Sequence, residues 1–214
     1  LLGEGAKLIV VACNAASAAA LQHLRLVFPD IPFVGMEPAV KPAAEQTRSG
    51  VVGVLATPAT FQGALYASVV ERFANGVNVL QSTCPGLVQQ IEAGDLDGPV
   101  TQGILEGALR PMLAQGIDTV VLGCTHYPFV IPLIEQIVGV GVRVIDPAPA
   151  VARQVLRLLD ERSLRQPEKT EPPVIRLVTT GDGTVMAAAV RRLICEGAEV
   201  EGAVWLNGEI NQPG

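Results

Sequence analysis

The chain alternates short, near-continuous apolar runs with amphipathic stretches, and this rhythm limits its possible folds more than any other feature. "KLIVVAC" (7–13), "IPFVGM" (31–36), "VVGVLAT" (51–57), "VNVLQ" (77–81), "DTVVLGC" (118–124), "VRVIDP" (142–147) and "VIRLVTTG" (174–181) read as strands. Between them, "ASAAALQHLRLVF" (16–28), "ATFQGALYASVVERF" (59–73), "GPVTQGILEGALRPMLAQG" (98–116), "APAVARQVLRLLDERS" (148–163) and "TVMAAAVRRLI" (184–194) read as helices. Pro29 stops the first helix, and Pro111 marks a kink or a boundary. "RQPEKTEPP" (165–173) reads as a surface loop or linker, and "VEGAVWL" (200–206) as an edge strand. Strands that are apolar on both faces need cover on both. The expected fold class is therefore α/β, with mainly parallel sheets between layers of helices. With 49% hydrophobic residues in 214, there is material for a large core.

Charge and cysteine usage narrow the function. A formal charge of −6 makes a nucleic-acid or anionic-membrane partner a poor expectation, while leaving small anionic substrates open. No apolar run reaches the roughly 18 residues expected of a membrane span. The cysteines Cys13, Cys84, Cys124 and Cys195 show no Cys-x-x-Cys spacing, and the histidines are only His23 and His126. A zinc site or a dithiol redox centre therefore has few partners, no metal is expected, and reduced thiols point to the cytoplasm. The opening "LLGEGAKLIVVAC" reads as the end of a helix at Leu1 and Leu2, closed by Gly3 or Gly5. The expectation from it is an opening inside a larger domain.

In parallel α/β folds, ligands bind beyond the carboxyl ends of the strands. Two strands end there in a similar way. "VVACNAAS" (10–17) and "VLGCTHYP" (121–128) each run from an apolar strand into a cysteine and polar neighbours, just before an expected helix. A strand-end cysteine is more often a small buried hydrophobe. Here, though, the polar residues that follow would be costly to bury unpaired, and a helix N-terminus favours a thiolate. Cys13 and Cys124 are thus candidate bases facing one substrate from opposite sides. Asn14 alone reads more readily as a helix cap, and Thr125 is ambiguous. His126 gains a proton-transfer or thiolate-stabilising role from its place beside Cys124. In "ATPAT" (56–60), Thr57 and Thr60 read as cap and turn residues, with Pro58 at the first helical position; their hydroxyls could also bind a carboxylate. Cys84, Cys195 and Trp205 read as packing.

Taken together, "VVACNAASA", "EPAVKPA", "ATPAT", "LGCTHYPF" and "TTGD" resemble bacterial glutamate racemase, of the aspartate/glutamate racemase superfamily. The resemblance runs from about residue 1 to about 206. It implies two three-layer α/β domains related by pseudo-twofold symmetry, with the active site between them. Residues 39–147 would form one domain; 1–38 and 148–214 would form the other. It also implies cofactor-independent interconversion of L- and D-glutamate, supplying D-glutamate for peptidoglycan. The catalytic residues carried over are Cys13, Cys124 and His126. Asn14, position 15, Thr57, Thr60, Thr125 and His126 would contact substrate. No cofactor, nucleic acid or membrane is implied, and a homodimer is compatible with the family.

Two departures stand out. The family usually carries Thr after Cys-Asn, and this chain has Ala15. An Asp-Ser-Gly segment whose Asp assists the first cysteine, and a substrate-binding Pro-Tyr-Gly segment, have no match here. The expectation is a racemase without its first strands and helices. A superfamily racemase for another amino acid such as aspartate, and a truncated non-catalytic binding module, remain open beside it.

Overall fold

A computed structural model of the chain describes residues 1–166, 174–194, 199–206 and 209–211. The chain runs β1 (Ile9–Val11), α1 (Asn14–Val27), β2 (Phe33–Gly35), α2 (Val40–Gln46), β3 (Val51–Ala56), α3 (Pro58–Gln62), α4 (Ala64–Phe73), β4 (Asn78–Ser82), α5 (Leu87–Ala93) and α6 (Pro99–Ala114). It continues through β5 (Thr119–Gly123), a 3-10 turn (Tyr127–Val130), α7 (Ile131–Val138), β6 (Arg143–Ile145), α8 (Ala148–Glu161), β7 (Leu177–Thr179), α9 (Gly183–Leu193), β8 (Val200–Gly202), β9 (Val204–Leu206) and β10 (Glu209–Asn211).

The expected parallel α/β architecture is what forms. A four-stranded parallel sheet, ordered β4-β3-β5-β6, lies at the centre. β3 and β5 are buried along almost their whole length, which is why they read as unbroken apolar runs. One face packs Leu55, Leu105, Leu109, Leu122 and Ile134 under α5, α6 and α7. The other packs Val52, Val54, Tyr66, Val69 and Val121 under α2 and α4. The chain leaves β3 for β4 on one side and later returns to β5 on the other. The order therefore reverses between β3 and β5, and such a switch point opens a crevice at the carboxyl ends.

A second βαβ unit pairs β1 with β2 in parallel through α1. Ser17 ties it together from within the helix. Its hydroxyl donates to Val11 O (3.0 Å) and accepts from the Met36 N–H (2.9 Å). β7 pairs in parallel with β8, and β9 with β10 antiparallel. Arg176 holds the β7–β8 pair to the chain start, reaching Glu201 (2.8 Å) and Glu4 (2.9 Å).

Several expectations need correction. The 59–73 helix is two helices, broken at the extended Gly63, which also caps α4. A Cβ at Gly63 would come within 3.0 Å of Ala18 Cβ, so the glycine lets α1 approach closely. The short helices α2 and α5 were not anticipated. Pro111 lies inside α6, three residues before its end, rather than at its boundary. Residues 200–206 make two short strands with different partners, not one edge strand. Trp205 does not pack; it is 61% exposed on β9. β1 is only half-buried, with Val10 exposed, because β2 alone pairs with it among the described residues. Leu1–Gly5 make the closing bonds of a helix end as expected, Gly5 N–H donating to Leu2 O (2.9 Å) and Ala6 N–H to Leu1 O (3.2 Å), with Gly5 in the left-handed region at φ 80°. Residues 167–173 of the expected loop, and Cys195, lie outside the described residues. Among the described residues no helix is long and apolar enough to cross a membrane.

Candidate active site

The switch point gathers the threonine turn and the second cysteine. β3 and β5 run in register, Ala56 opposite Gly123, so the segments leaving them emerge side by side. Gly123 permits this approach: a Cβ there would lie 2.8 Å from Ala56 Cβ. Thr57 caps α3 as expected, its Oγ1 accepting from the Thr60 N–H (3.4 Å) with Pro58 following. The two threonine hydroxyls lie 3.1 Å apart, and that of Thr60 donates to Gly123 O (3.5 Å), one residue before Cys124.

Cys124 is buried. Desolvation pushes its thiol above the ordinary range, backbone N–H groups of His126 and Tyr127 pull it down, and the charge of the nearby Cys13 adds to the rise. The downward shift expected from a helix N-terminus is therefore outweighed by burial. The local geometry differs too, since the 3-10 turn separates Cys124 from α7. His126 Nδ1 lies 3.9 Å from Cys124 Sγ, and Nε2 lies 3.0 Å from Glu92 Oε1 on α5. A carboxylate only accepts, so Nε2 carries the proton and Nδ1 is left facing the thiol. This thiol–imidazole–carboxylate line can hold a proton released by, or destined for, the sulfur.

Cys13 arrives from the other βαβ unit. It occupies the N-cap of α1 in extended conformation, exposed, without a side-chain cap bond. Asn14 is not a cap. It is the first residue of α1, 3% exposed, and neither Nδ2 nor Oδ1 has a hydrogen-bond partner among the described residues. Ala15 follows, half-buried and with no hydroxyl to offer. A buried, unpartnered amide is costly, and a bound polar molecule would satisfy it.

A cavity of about 590 Å³ lies beside Cys124 and Thr125, walled by Val10 and Met36 on one side and Val151 and Val155 of α8 on another. Cys13, Asn14, Ala15, Thr57, Thr60 and His126 are not part of its wall. Glu92 is the functional candidate that sequence reasoning missed. Its helix had a signal in "PGLVQQIEAG", a Pro-Gly start and a left-handed Gly94 stop, but nothing in the sequence pairs Glu92 with His126. Cys84 is buried as expected, and desolvation first of all raises its thiol to about 12, out of use at neutral pH.

Fold and site define a parallel α/β protein with a thiol-bearing crevice at a strand switch point. The chain belongs to the Asp/Glu/Hydantoin racemase family, which matches residues 1–155. It is 53% identical over 204 residues to the glutamate racemase of Roseiflexus sp. (strain RS-1), covering 95% of this chain and 75% of that one. It is 50% identical over 200 residues to the glutamate racemase of Ectopseudomonas mendocina (strain ymp), with 94% and 75% covered. Among solved structures, it is similar to glutamate racemase from Escherichia coli in complex with L-glutamate and the activator UDP-MurNAc-Ala (TM-score 0.76, 32% identity, 94% and 75% covered). The Francisella tularensis glutamate racemase in complex with D-glutamate gives a TM-score of 0.79 at 27% identity, with 97% and 77% covered.

Proposed function

We propose that the protein interconverts L- and D-glutamate by direct 1,1-proton transfer between Cys13 and Cys124, without a cofactor. The observation that carries this reading is a pair of thiols from separate βαβ units, close enough for the charge of one to raise the pKa of the other. With L-glutamate bound, the Cys124 thiolate takes the α-proton and the Cys13 thiol protonates the opposite face. With D-glutamate the roles reverse. Cys124 is disposed to rest as the protonated thiol, which is the acid needed in one direction. In the other it must first lose its proton, and the His126–Glu92 line is the acceptor at hand. The Asn14 amide and the hydroxyls of Thr57, Thr60 and Thr125 would bind the substrate's ammonium and carboxylates. In this reading residues 39–147 carry Cys124, residues 1–38 with 148–214 form the lobe that carries Cys13, and the product D-glutamate serves peptidoglycan in the cytoplasm.

Ala15 favours a second reading, a racemase for a different amino acid such as aspartate. Turnover of the purified full protein on single enantiomers of both amino acids separates the two. The expected result is racemisation of glutamate, abolished by Cys13→Ala or by Cys124→Ala. Faster turnover of aspartate would support the second reading, and ligand binding without turnover would leave a binding module.

A further inference from the structure

α9 meets the central body at a charged contact, beside the site but outside it. Arg192, in the last turn of α9, donates from Nη1 to the carbonyl of Ala93, the last residue of α5. Its Nε donates back to Ala188 O of its own helix (3.3 Å), which fixes the direction of the guanidinium. Leu193, next in sequence, packs against the core beneath α5, α6 and α7. Gly94 makes room for the contact: a Cβ there would lie 3.0 Å from both Cδ and Nη1 of Arg192.

The end of α5 has a specific need for such a partner. Gly94, at φ 85°, turns the chain out of the helix, and the N–H groups of Gly94 and Asp95 satisfy the carbonyls of Ile91 and Gln90. The Ala93 carbonyl, at the negative end of the helix dipole, is left for Arg192. Immediately before it stands Glu92, whose carboxylate lies 3.0 Å from His126 Nε2. A seven-residue helix has little stability of its own. What clamps its last carbonyl therefore also sets the reach of Glu92.

We propose that Arg192 is a positioning residue. It fastens the carboxyl end of α5 so that Glu92 keeps the His126 imidazole turned towards Cys124. This deepens the proposed function by adding a residue from the far end of the chain to the control of the Cys124 thiol. Arg192 is exposed, so its replacement leaves both cores untouched.

The test is the rate at which iodoacetamide alkylates Cys124, followed by mass spectrometry of its peptide. Four forms of the full protein are compared: unaltered, Arg192→Ala, Glu92→Gln and the double variant. Glu92→Gln removes the carboxylate that accepts from His126 Nε2 and keeps the imidazole turned towards the Cys124 sulfur, so alkylation should slow. Arg192→Ala should slow it by roughly threefold to tenfold, the range of a modest coupling between linked residues. The double variant should be no slower than Glu92→Gln alone, because Arg192 acts through Glu92. An unchanged or faster rate in Arg192→Ala overturns the proposal, as does the same fold-loss with and without Glu92. The readout is thiol reactivity, not turnover. A protein that shows the coupling yet fails to racemise glutamate would therefore contradict the proposed activity alone.

Discussion

The segment from Val40 to Ile145 and the segments around it are built from similar residues, yet they pack differently. The first holds both hydrophobic cores, one on each face of a four-stranded sheet. Around it, β1–β2 and β7–β8 are two-stranded, and α8 buries none of its residues although its sequence is strongly amphipathic. Leu26, Phe28, Leu156 and Val178 are all exposed there. An apolar stripe on a helix states that a face is meant to be covered; only the packing shows whether it is. The two thiols divide along the same line, with Cys124 buried at the edge of a core and Cys13 exposed.

The sharpest way to break this comparison is to truncate one leucine in each region. Leu122 is fully buried in β5, and Leu122→Ala should cost about 2–5 kcal/mol in urea unfolding. Leu156 on α8 is 46% exposed, and Leu156→Ala should change stability by no more than about 0.5 kcal/mol. Equal costs would mean that the apolar face of α8 is covered in solution.

A smaller effect should appear in alkali, and it should belong to the dense region. Cys84, inside the core, holds its proton up to about 12 because burial disfavours its thiolate, against the hydrogen bond to Tyr127 that favours it. Tyr127, buried beside it, is raised as well, again mainly by burial. In the unfolded chain the thiol ionises near ~8.5. Between those values the folded state binds more protons, so this contribution is complete below about pH 8.5 and is lost as pH rises towards 12. Unfolding midpoints measured across pH 8–11 should fall, and Cys84→Ala should flatten part of the fall. A profile with the same slope in Cys84→Ala would assign the loss to other groups.

A modest change, in substrate binding rather than stability, is expected at Ala15, in the thin region. Ala15→Thr should add one hydrogen bond to substrate, about 0.5–1.5 kcal/mol, read as a lower KM or a higher kcat/KM for glutamate. No change in either would mean that water or another hydroxyl already fills the position.

What was legible in the sequence follows the same divide. β3 and β5 were plain because strands buried on both faces leave unbroken apolar runs. Cys124 and the cap at Thr57 were legible because strand ends and helix starts have local chemistry. Helices α2 and α5 were missed because seven residues leave too few turns to show a period. Gly63 breaks a helix for a reason outside its own segment, the approach of Ala18. Trp205 looked like packing because tryptophan usually packs, and it is exposed here among the described residues. Asn14 looked like a cap because it stands at a helix start, but the boundary falls one residue earlier, at Cys13. Glu92 and His126 are 34 residues apart, and only the fold of α5 against the 3-10 turn joins them.

The claim that organises the rest is that two different thiols serve the two faces of the substrate. Racemisation in D₂O tests it most directly. The proton taken by one thiol stays on that sulfur, while the opposite thiol, already exchanged with solvent, delivers deuterium. At early conversion of a single glutamate enantiomer, deuterium should therefore accumulate in the product and be nearly absent from recovered substrate. Deuterium entering recovered substrate as fast as product would mean that one base serves both faces, and would contradict the assignment of Cys13 and Cys124.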